Sequence, residues 1–341
     1  MLRPHRFKAF VPFAILLTVV ASASSTCGGG ITIMAEDFST APALNTKVSV
    51  VADNAAARFV YDAVGEFLTA RYDTALPTAK MLWDLGMHLD QNSTFGFRIG
   101  FQIESLATTD LGQIAFGLLN SVTTGNDRPG GEGPSADFAN PGSDVNDAHD
   151  IVTIDYFPFD KSSDPVFPFN SRSYTPTLIT SDDGDDSTSF YDQIFFTASQ
   201  ETLIDDLGEP QNLSVGTKYE TELIYSGNDR QATLRLRDAS GYLSINAVGV
   251  DNPPGNGGPD ADITTIQVPL NPGQAFSVNA FGLLLWEDTY GFGASTVTAD
   301  VVFDGFEVFV VPEPTALAAV ATLLVPAILR RSPRQTSRPS S

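Results

Sequence analysis

Apolar and polar residues alternate along much of this chain. Between Phe95 and Glu104, Phe95, Phe97, Ile99, Phe101 and Ile103 fall on one face, and Gly96, Arg98, Gly100, Gln102 and Glu104 on the other. A strict period of two is the signature of a half-buried β-strand, and glycines inside it mark a close approach by a neighbour or a bend. Met81, Trp83, Leu85 and Met87 alternate in the same way with Leu82, Asp84, Gly86 and His88. Similar patterns predict strands at 31–35, 47–52, 114–119, 151–157, 178–180, 193–197, 217–225, 231–237, 242–250, 275–286 and 296–310. Turn residues separate several of them, as in Ser226-Gly227-Asn228-Asp229 and Asp238-Ala239-Ser240-Gly241. Residues 53–70, with Ala55-Ala56-Ala57-Arg58, read equally as a helix or a hairpin. Two long connections, 123–147 and 251–262, are rich in Gly, Pro, Asn and Asp; loops of that length are functional or disordered. Many short strands with few helices predict an all-β fold, a two-sheet antiparallel sandwich spanning 28–310.

The two ends follow a different pattern. Arg3, Arg6 and Lys8 precede an apolar run from Ala9 to Val20 and a small-residue exit, Ala21-Ser22-Ala23. That order predicts a signal peptide over 1–23, with its N-terminal signal helix. At the other end Pro312-Glu313-Pro314 leads into an apolar run, Ala316 to Leu329, followed by Arg330, Arg331, Arg334 and Arg338. The run is shorter than the roughly 20 residues of a comfortable span and contains Pro326, which kinks a helix. No charge interrupts it, and arginines behind it suit the cytoplasmic side. The expectation is a short C-terminal membrane helix within 311–334, with the body exported through the inner membrane.

Removing both ends sharpens the charge. The whole chain has 19 Lys/Arg against 41 Asp/Glu, a formal net charge of -22. Three basic residues belong to the leader, and four with one acid, Glu313, to the tail, so the body keeps 12 against 40, or -28. Such a surface repels nucleic acid and anionic lipid. The single cysteine, Cys27, excludes an intrachain disulfide.

Candidate chemistry is sparse. Asp182, Asp183, Asp185 and Asp186 flank Gly184 and offer oxygens to calcium, with Asp144, Asp147 and Asp150 as further contributors. The run lacks the spacing of an EF-hand loop, so it reads either as a calcium site or as a solvated acidic loop. Among aromatic residues, Tyr156, Trp286 and Tyr290 are the candidates for stacking on a sugar. Glu220 and Glu222 share a strand face and read as the exposed edge of a hairpin. No phosphate loop, serine-nucleophile elbow or zinc spacing occurs, so no catalytic residue is assigned.

Two resemblances add to these readings. The order Val311-Pro312-Glu313-Pro314, apolar segment, Arg330-Arg331 resembles the PEP-CTERM sorting signal of exopolysaccharide-producing Gram-negative bacteria. It implies processing by a membrane-embedded exosortase and a destination at the cell surface or in the extracellular matrix. The body resembles concanavalin A-like, laminin G-like jelly rolls at three places: Ala35-Glu36-Asp37-Phe38 as opening strand and turn, Tyr219–Tyr225 with Ala232–Leu236 as a late hairpin, and Phe303–Phe309 as a closing strand beside the first. In that superfold the concave face often holds glycans, and some members are glycoside hydrolases or lyases. The combined expectation is a non-catalytic surface or matrix protein that binds exopolysaccharide. A hydrolase or lyase on the same fold and a purely structural matrix protein stand as alternatives.

Overall fold

The computed structural model describes residues 30–42, 47–108, 113–122, 150–158, 173–180, 195–198, 200–203, 212–243, 245–248, 266–270, 275–286 and 297–312. In chain order the elements are β1 (Ile31–Glu36), β2 (Val48–Val51), α1 (Ala55–Arg58), β3 (Phe59–Asp62), β4 (Phe67–Asp73), β5 (Ala79–Asp90), β6 (Phe95–Thr108), β7 (Ile114–Leu119), β8 (Ile151–Phe157), β9 (Ser173–Thr180), β10 (Phe195–Ala198), β11 (Gln200–Leu203), β12 (Lys218–Ser226), β13 (Gln231–Asp238), β14 (Gly241–Tyr242), β15 (Ile245–Val248), β16 (Ile266–Pro269), β17 (Ser277–Leu285) and β18 (Val297–Val310). They form two sheets. Sheet A runs β14-β13-β12-β6-β18-β4-β3, with β1 beside β18 and β16 beside β13. Sheet B runs β15-β11-β9-β8-β7-β17-β5-β2, with β10 beside β9. Neighbours such as β12 with β6 and β7 with β17 pair antiparallel. The expected two-sheet antiparallel sandwich is present over Thr32–Val310. The other compact unit, Met1–Ile31 with Val311–Ser341, is described only at Gly30, Ile31, Val311 and Pro312.

The expectation of terminal helices is corrected. Among the described residues the one helix is the single turn α1, and no helix is long and apolar enough to cross a membrane. The segments read as signal helix and membrane helix lie outside the described residues, apart from Val311 and Pro312. Residues 53–70 resolve in favour of the hairpin: α1 is followed at once by β3 and β4. Phe59, Leu68, Ala70 and Tyr72 are buried, the alternation of a strand pair. Asp62 Oδ1 accepts from the N–H groups of Val64 and Gly65 and closes the turn. Arg58 ties the hairpin down, donating from Nε to the Arg71 carbonyl and from Nη1 to the Pro77 carbonyl, each at 3.1 Å.

The core sits between the sheets. Phe95, Phe97, Ile99, Phe101 and Ile103 are all buried, as their period requires. In β5 the period breaks: Met81, Trp83 and Leu85 are buried but Met87 is exposed and Leu89 takes the inward place. Between Asp84 and Leu89 the pairing with β17 shifts register, and within that stretch Gly86 adopts φ 69°, a conformation a side chain disfavours. Phe38, Trp83, Phe281 and Phe306 form an aromatic centre, with Phe281 and Phe306 stacked at 4.1 Å. Burial of this kind supplies most of the favourable free energy of folding.

Three tyrosines, Tyr72, Tyr174 and Tyr225, are sealed in this core. Desolvation pushes each phenol above its ordinary value, that of Tyr225 up to about 12, and for Tyr72 the Asp155 charge adds to the effect. The folded state therefore holds these protons more tightly than the unfolded chain, whose phenols titrate near pH 10. Their contribution is complete below that pH and is lost as pH climbs from there through the folded values. Urea unfolding at a series of alkaline pH values should show stability falling above about pH 10, with tyrosinate absorbance rising together with unfolding. Tyrosinate appearing in a fully folded chain near pH 10 for all nine tyrosines would contradict the sealed core.

Candidate functional site

Alternation that buries one face of sheet A turns a charged face to the outside. Register sets its pattern. Arg235, Glu222, Arg98 and Glu307 lie side by side in one row across β13, β12, β6 and β18, so charge alternates in sign from strand to strand. The adjacent row on the same strands is Arg237, Glu220, Gly100 and Gly305. Two facing glycines lower this row where neighbouring rows carry long side chains, and the Asp304 carboxylate takes part of the room over Gly100.

The side chains around this row are held in pairs. Arg98 Nε meets Glu222 Oε2 at 2.5 Å and its Nη1 lies 3.6 Å from Glu307 Oε2. Its guanidinium carbon sits 4.8 Å from the centroid of the Phe309 ring, a cation–π contact. Gly96 makes room for that ring, since a Cβ there would come within 2.8 Å of it. Arg237 Nη2 pairs with Glu220 Oε1 at 2.5 Å, Lys218 Nζ pairs with Asp304, and Thr32 donates to Glu307. The Asp304 carboxylate lies over Gly100, in space that any larger residue would take. Gly305 has φ 149°, and a Cβ on it would meet the Glu36 carbonyl of β1 at 2.8 Å. The result is a cleft of about 720 Å³ lined by Arg98, Gly100, Lys218, Glu220, Arg237 and Asp304, among others.

One rim is the β13–β14 turn. Tyr242 is 53% exposed there, with the Arg235 guanidinium 6.0 Å from its ring. The Ser240 hydroxyl and then its N–H donate to Asp238 Oδ1 at 2.6 and 2.7 Å and hold that carboxyl below its ordinary range. The lining counts three cations, Arg98, Lys218 and Arg237, against four carboxylates, Glu220, Asp238, Asp304 and Glu307. It presents fixed donors and acceptors beside an aromatic ring, with no excess positive charge to draw in a polyanion.

Of the residues singled out from sequence, Tyr156, Trp286 and Asp150 lie outside this cleft. Tyr156 is 1% exposed, faces the core from β8 and accepts from the Leu213 N–H at 3.0 Å. Trp286 is 2% exposed and packs with Leu82, Ala115, Leu119, Ile151, Ala280 and Leu284, with Lys80 Nζ 6.0 Å from its ring. Tyr290, Asp182, Asp183, Asp185 and Asp186 are outside the described residues, as are Glu313, Pro314, Arg330 and Arg331. Pro312 is described, two residues beyond the end of β18. Asp150 is buried, and its Oδ2 accepts from the Ser277 N–H at 3.0 Å. Among the described residues no group of three or more His, Cys, Asp or Glu is placed to hold a metal ion.

Sequence reasoning missed Arg98, Lys218, Arg237, Asp304, Glu307 and Tyr242. Glu220 and Glu222, read as the edge of a hairpin, lie on an interior strand, because β12 is flanked by β13 and β6. The available signal was the glycine on the polar face of β6: Gly100 stands where a strand of this kind would carry a charged or polar residue.

No protein-family model matches this chain, and no curated protein matches it. Among solved structures it is similar to peanut lectin, at 9% identity over 81% of this chain and 97% of that one, with a TM-score of 0.40. It is likewise similar to basic winged bean lectin, at 11% identity over 81% and 98% of the two chains (TM-score 0.42), and to lectin II from Ulex europaeus, at 12% identity over 81% and 99% (TM-score 0.38).

Proposed function

We propose that this is an exported, non-catalytic protein of the cell surface or extracellular matrix that binds carbohydrate in the cleft on sheet A. The ligand class is a neutral, hydroxyl-rich stretch of exopolysaccharide. The leader-like segment 1–23 and the PEP-CTERM-like tail support export and trimming by an exosortase-type enzyme. The observation that carries the binding assignment is the ring of cation–carboxylate pairs around the lowered Gly100–Gly305 row, with Tyr242 exposed at its rim.

The chemistry of the ligand follows from that ring. A sugar hydroxyl both donates and accepts, so it is satisfied where a fixed cation and a fixed carboxylate stand together. Hydrogen bonds to ionised partners are the stronger kind. Each partner here is already oriented by the other, which lowers the ordering cost on binding. The apolar face of a pyranose suits an aromatic ring such as Tyr242. A polyanion would have to face four carboxylates, and a nucleic acid would meet the body's charge of -28.

A glycan array probed with the purified body, once with calcium and once with chelator, tests this. The expected result is retention of neutral oligosaccharides in both conditions. Binding that vanishes with chelator would move the site to a calcium centre, for which Asp182, Asp183, Asp185 and Asp186 are the candidate ligands. Absence of binding in both conditions would leave the purely structural role. Release of new reducing ends from a bound glycan would replace the non-catalytic reading with a hydrolase.

A further inference from the structure

The tip between β5 and β6 reads Asp90-Gln91-Asn92-Ser93-Thr94 and contains an Asn-x-Ser/Thr triplet, the acceptor motif for N-linked glycans. We infer that Asn92 is an N-glycosylation acceptor, a covalent attachment point separate from the sheet A cleft. This rests on the export part of the proposed function, because the motif is used only on chains that leave the cytoplasm.

Geometry favours this asparagine. Asn92 is exposed, and its carboxamide makes no hydrogen bond among the described residues. The backbone around it is shaped by its neighbour instead. Asp90 Oδ1 accepts from the Asn92 N–H at 2.9 Å and from the Ser93 hydroxyl at 3.0 Å. The Asp90 carbonyl accepts from the Ser93 N–H at 3.0 Å. The turn is therefore pre-formed, and the acceptor carboxamide is left out of the bonds that shape it. The Thr94 hydroxyl oxygen accepts from the Gly227 N–H at 3.1 Å, a bond that a transferase must open to read the hydroxyl.

The second such triplet, Asn212-Leu213-Ser214, is the internal contrast. Leu213 is buried, and its N–H is held by the Tyr156 hydroxyl at 3.0 Å. The Ser214 N–H is held by the Tyr219 hydroxyl at 2.8 Å, and the Asn212 carboxamide oxygen is itself buried. That segment is locked onto core tyrosines and cannot be presented without unpacking them.

The reaction needs a lipid-diphosphate-linked oligosaccharide and an oligosaccharyltransferase. Asn92 Nδ2 forms an N-glycosidic bond to C1 of the first sugar. The C1–O bond to the diphosphate breaks, its electron pair leaves with the lipid diphosphate, and one amide proton passes to the medium. No oxidant or reductant is involved.

The test uses the full chain with its own leader, produced in cells that carry such a transferase and donor. Mass spectrometry reads leader cleavage and glycan attachment together. The expected result is a mature chain heavier by one oligosaccharide, carried on the Asn92 peptide, with the Asn212 peptide unmodified. Asn92→Gln and Thr94→Ala should each abolish the added mass, and Thr94→Ser should retain it. A leader-cleaved chain with bare Asn92 overturns the assignment. An uncleaved leader counts against export instead. The purified folded chain is then offered the transferase and donor directly, and absence of transfer to Asn92 there overturns the assignment as well.

Discussion

Phe281→Ala is expected to cost the sandwich about 3–5 kcal/mol, the range for removing a buried aromatic side chain. Phe281 is fully buried on β17, an interior strand of sheet B between β7 and β5. Its ring stacks on Phe306 of sheet A at 4.1 Å and meets Phe97 at 5.5 Å and Trp83 at 6.3 Å. It therefore joins the two sheets at their aromatic centre. The neighbours cannot collapse into the space it leaves, because each sits on a strand paired on both sides. A persistent cavity adds to the lost transfer free energy. Since a domain is stable by only about 5–15 kcal/mol, the variant should sit near the edge of folding. Val122→Ala, at a residue 83% exposed, is the matched control and should stay within about 0.5 kcal/mol of the parent. Urea unfolding of the three proteins decides the point. A loss under about 1 kcal/mol for Phe281→Ala would mean that the sheets do not meet at this ring.

The second large effect falls on binding. Arg98→Ala should weaken the neutral glycan selected on the array by about 10- to 100-fold, the equivalent of one or two hydrogen bonds to a charged group. Arg98 joins two carboxylates, Glu222 and Glu307, and it is braced from below by Phe309. Its removal leaves those two carboxylates facing each other across an empty gap. Arg98→Lys should recover only part of the affinity, because a single ammonium lacks the planar fork that spans two carboxylates and lies on a ring. The pair is partly solvent-exposed, so the stability change should be small beside that of Phe281→Ala. Titration calorimetry with the selected oligosaccharide, alongside urea unfolding, separates the two outcomes. An Arg98→Ala protein that binds like the parent would remove the cleft from consideration.

Much of the fold was legible because period-two patterning is a local signal. β6 and β12 follow from alternation alone, and the closing strand at Phe303–Phe309 does lie beside the first strand. The signal fails where both faces are covered. Every residue of β7 is buried, so its register cannot be inferred from its own sequence. It also fails at irregularities, as between Asp84 and Leu89, where the pairing with β17 shifts register and Met87 is exposed. The segment 242–250 shows a third limit. Its strand pattern divides into β14 in sheet A and β15 in sheet B, a crossing between layers that no short-range pattern encodes.

The cleft was illegible for a related reason. Arg98, Glu220, Arg237 and Glu307 each look like an ordinary outward charge on a strand. They become a site only because β6 and β18 pair across a long stretch of sequence, which sets Gly100 opposite Gly305. Tyr156 and Trp286 illustrate the converse. An aromatic residue near a strand end is equally suited to a ligand and to a core, and burial rather than sequence separates the two.

The place of β18 has a consequence for how the chain is made. It is translated after every other described strand, yet it lies inside sheet A, between β6 on one side and β4 with β1 on the other. Until residues 297–310 leave the ribosome, the earlier strands of that sheet have no partner along those edges. Long-range pairing of this kind delays folding, because loop closure must precede the contacts that reward it. A nascent chain so arranged completes sheet A only when its last described strand is made.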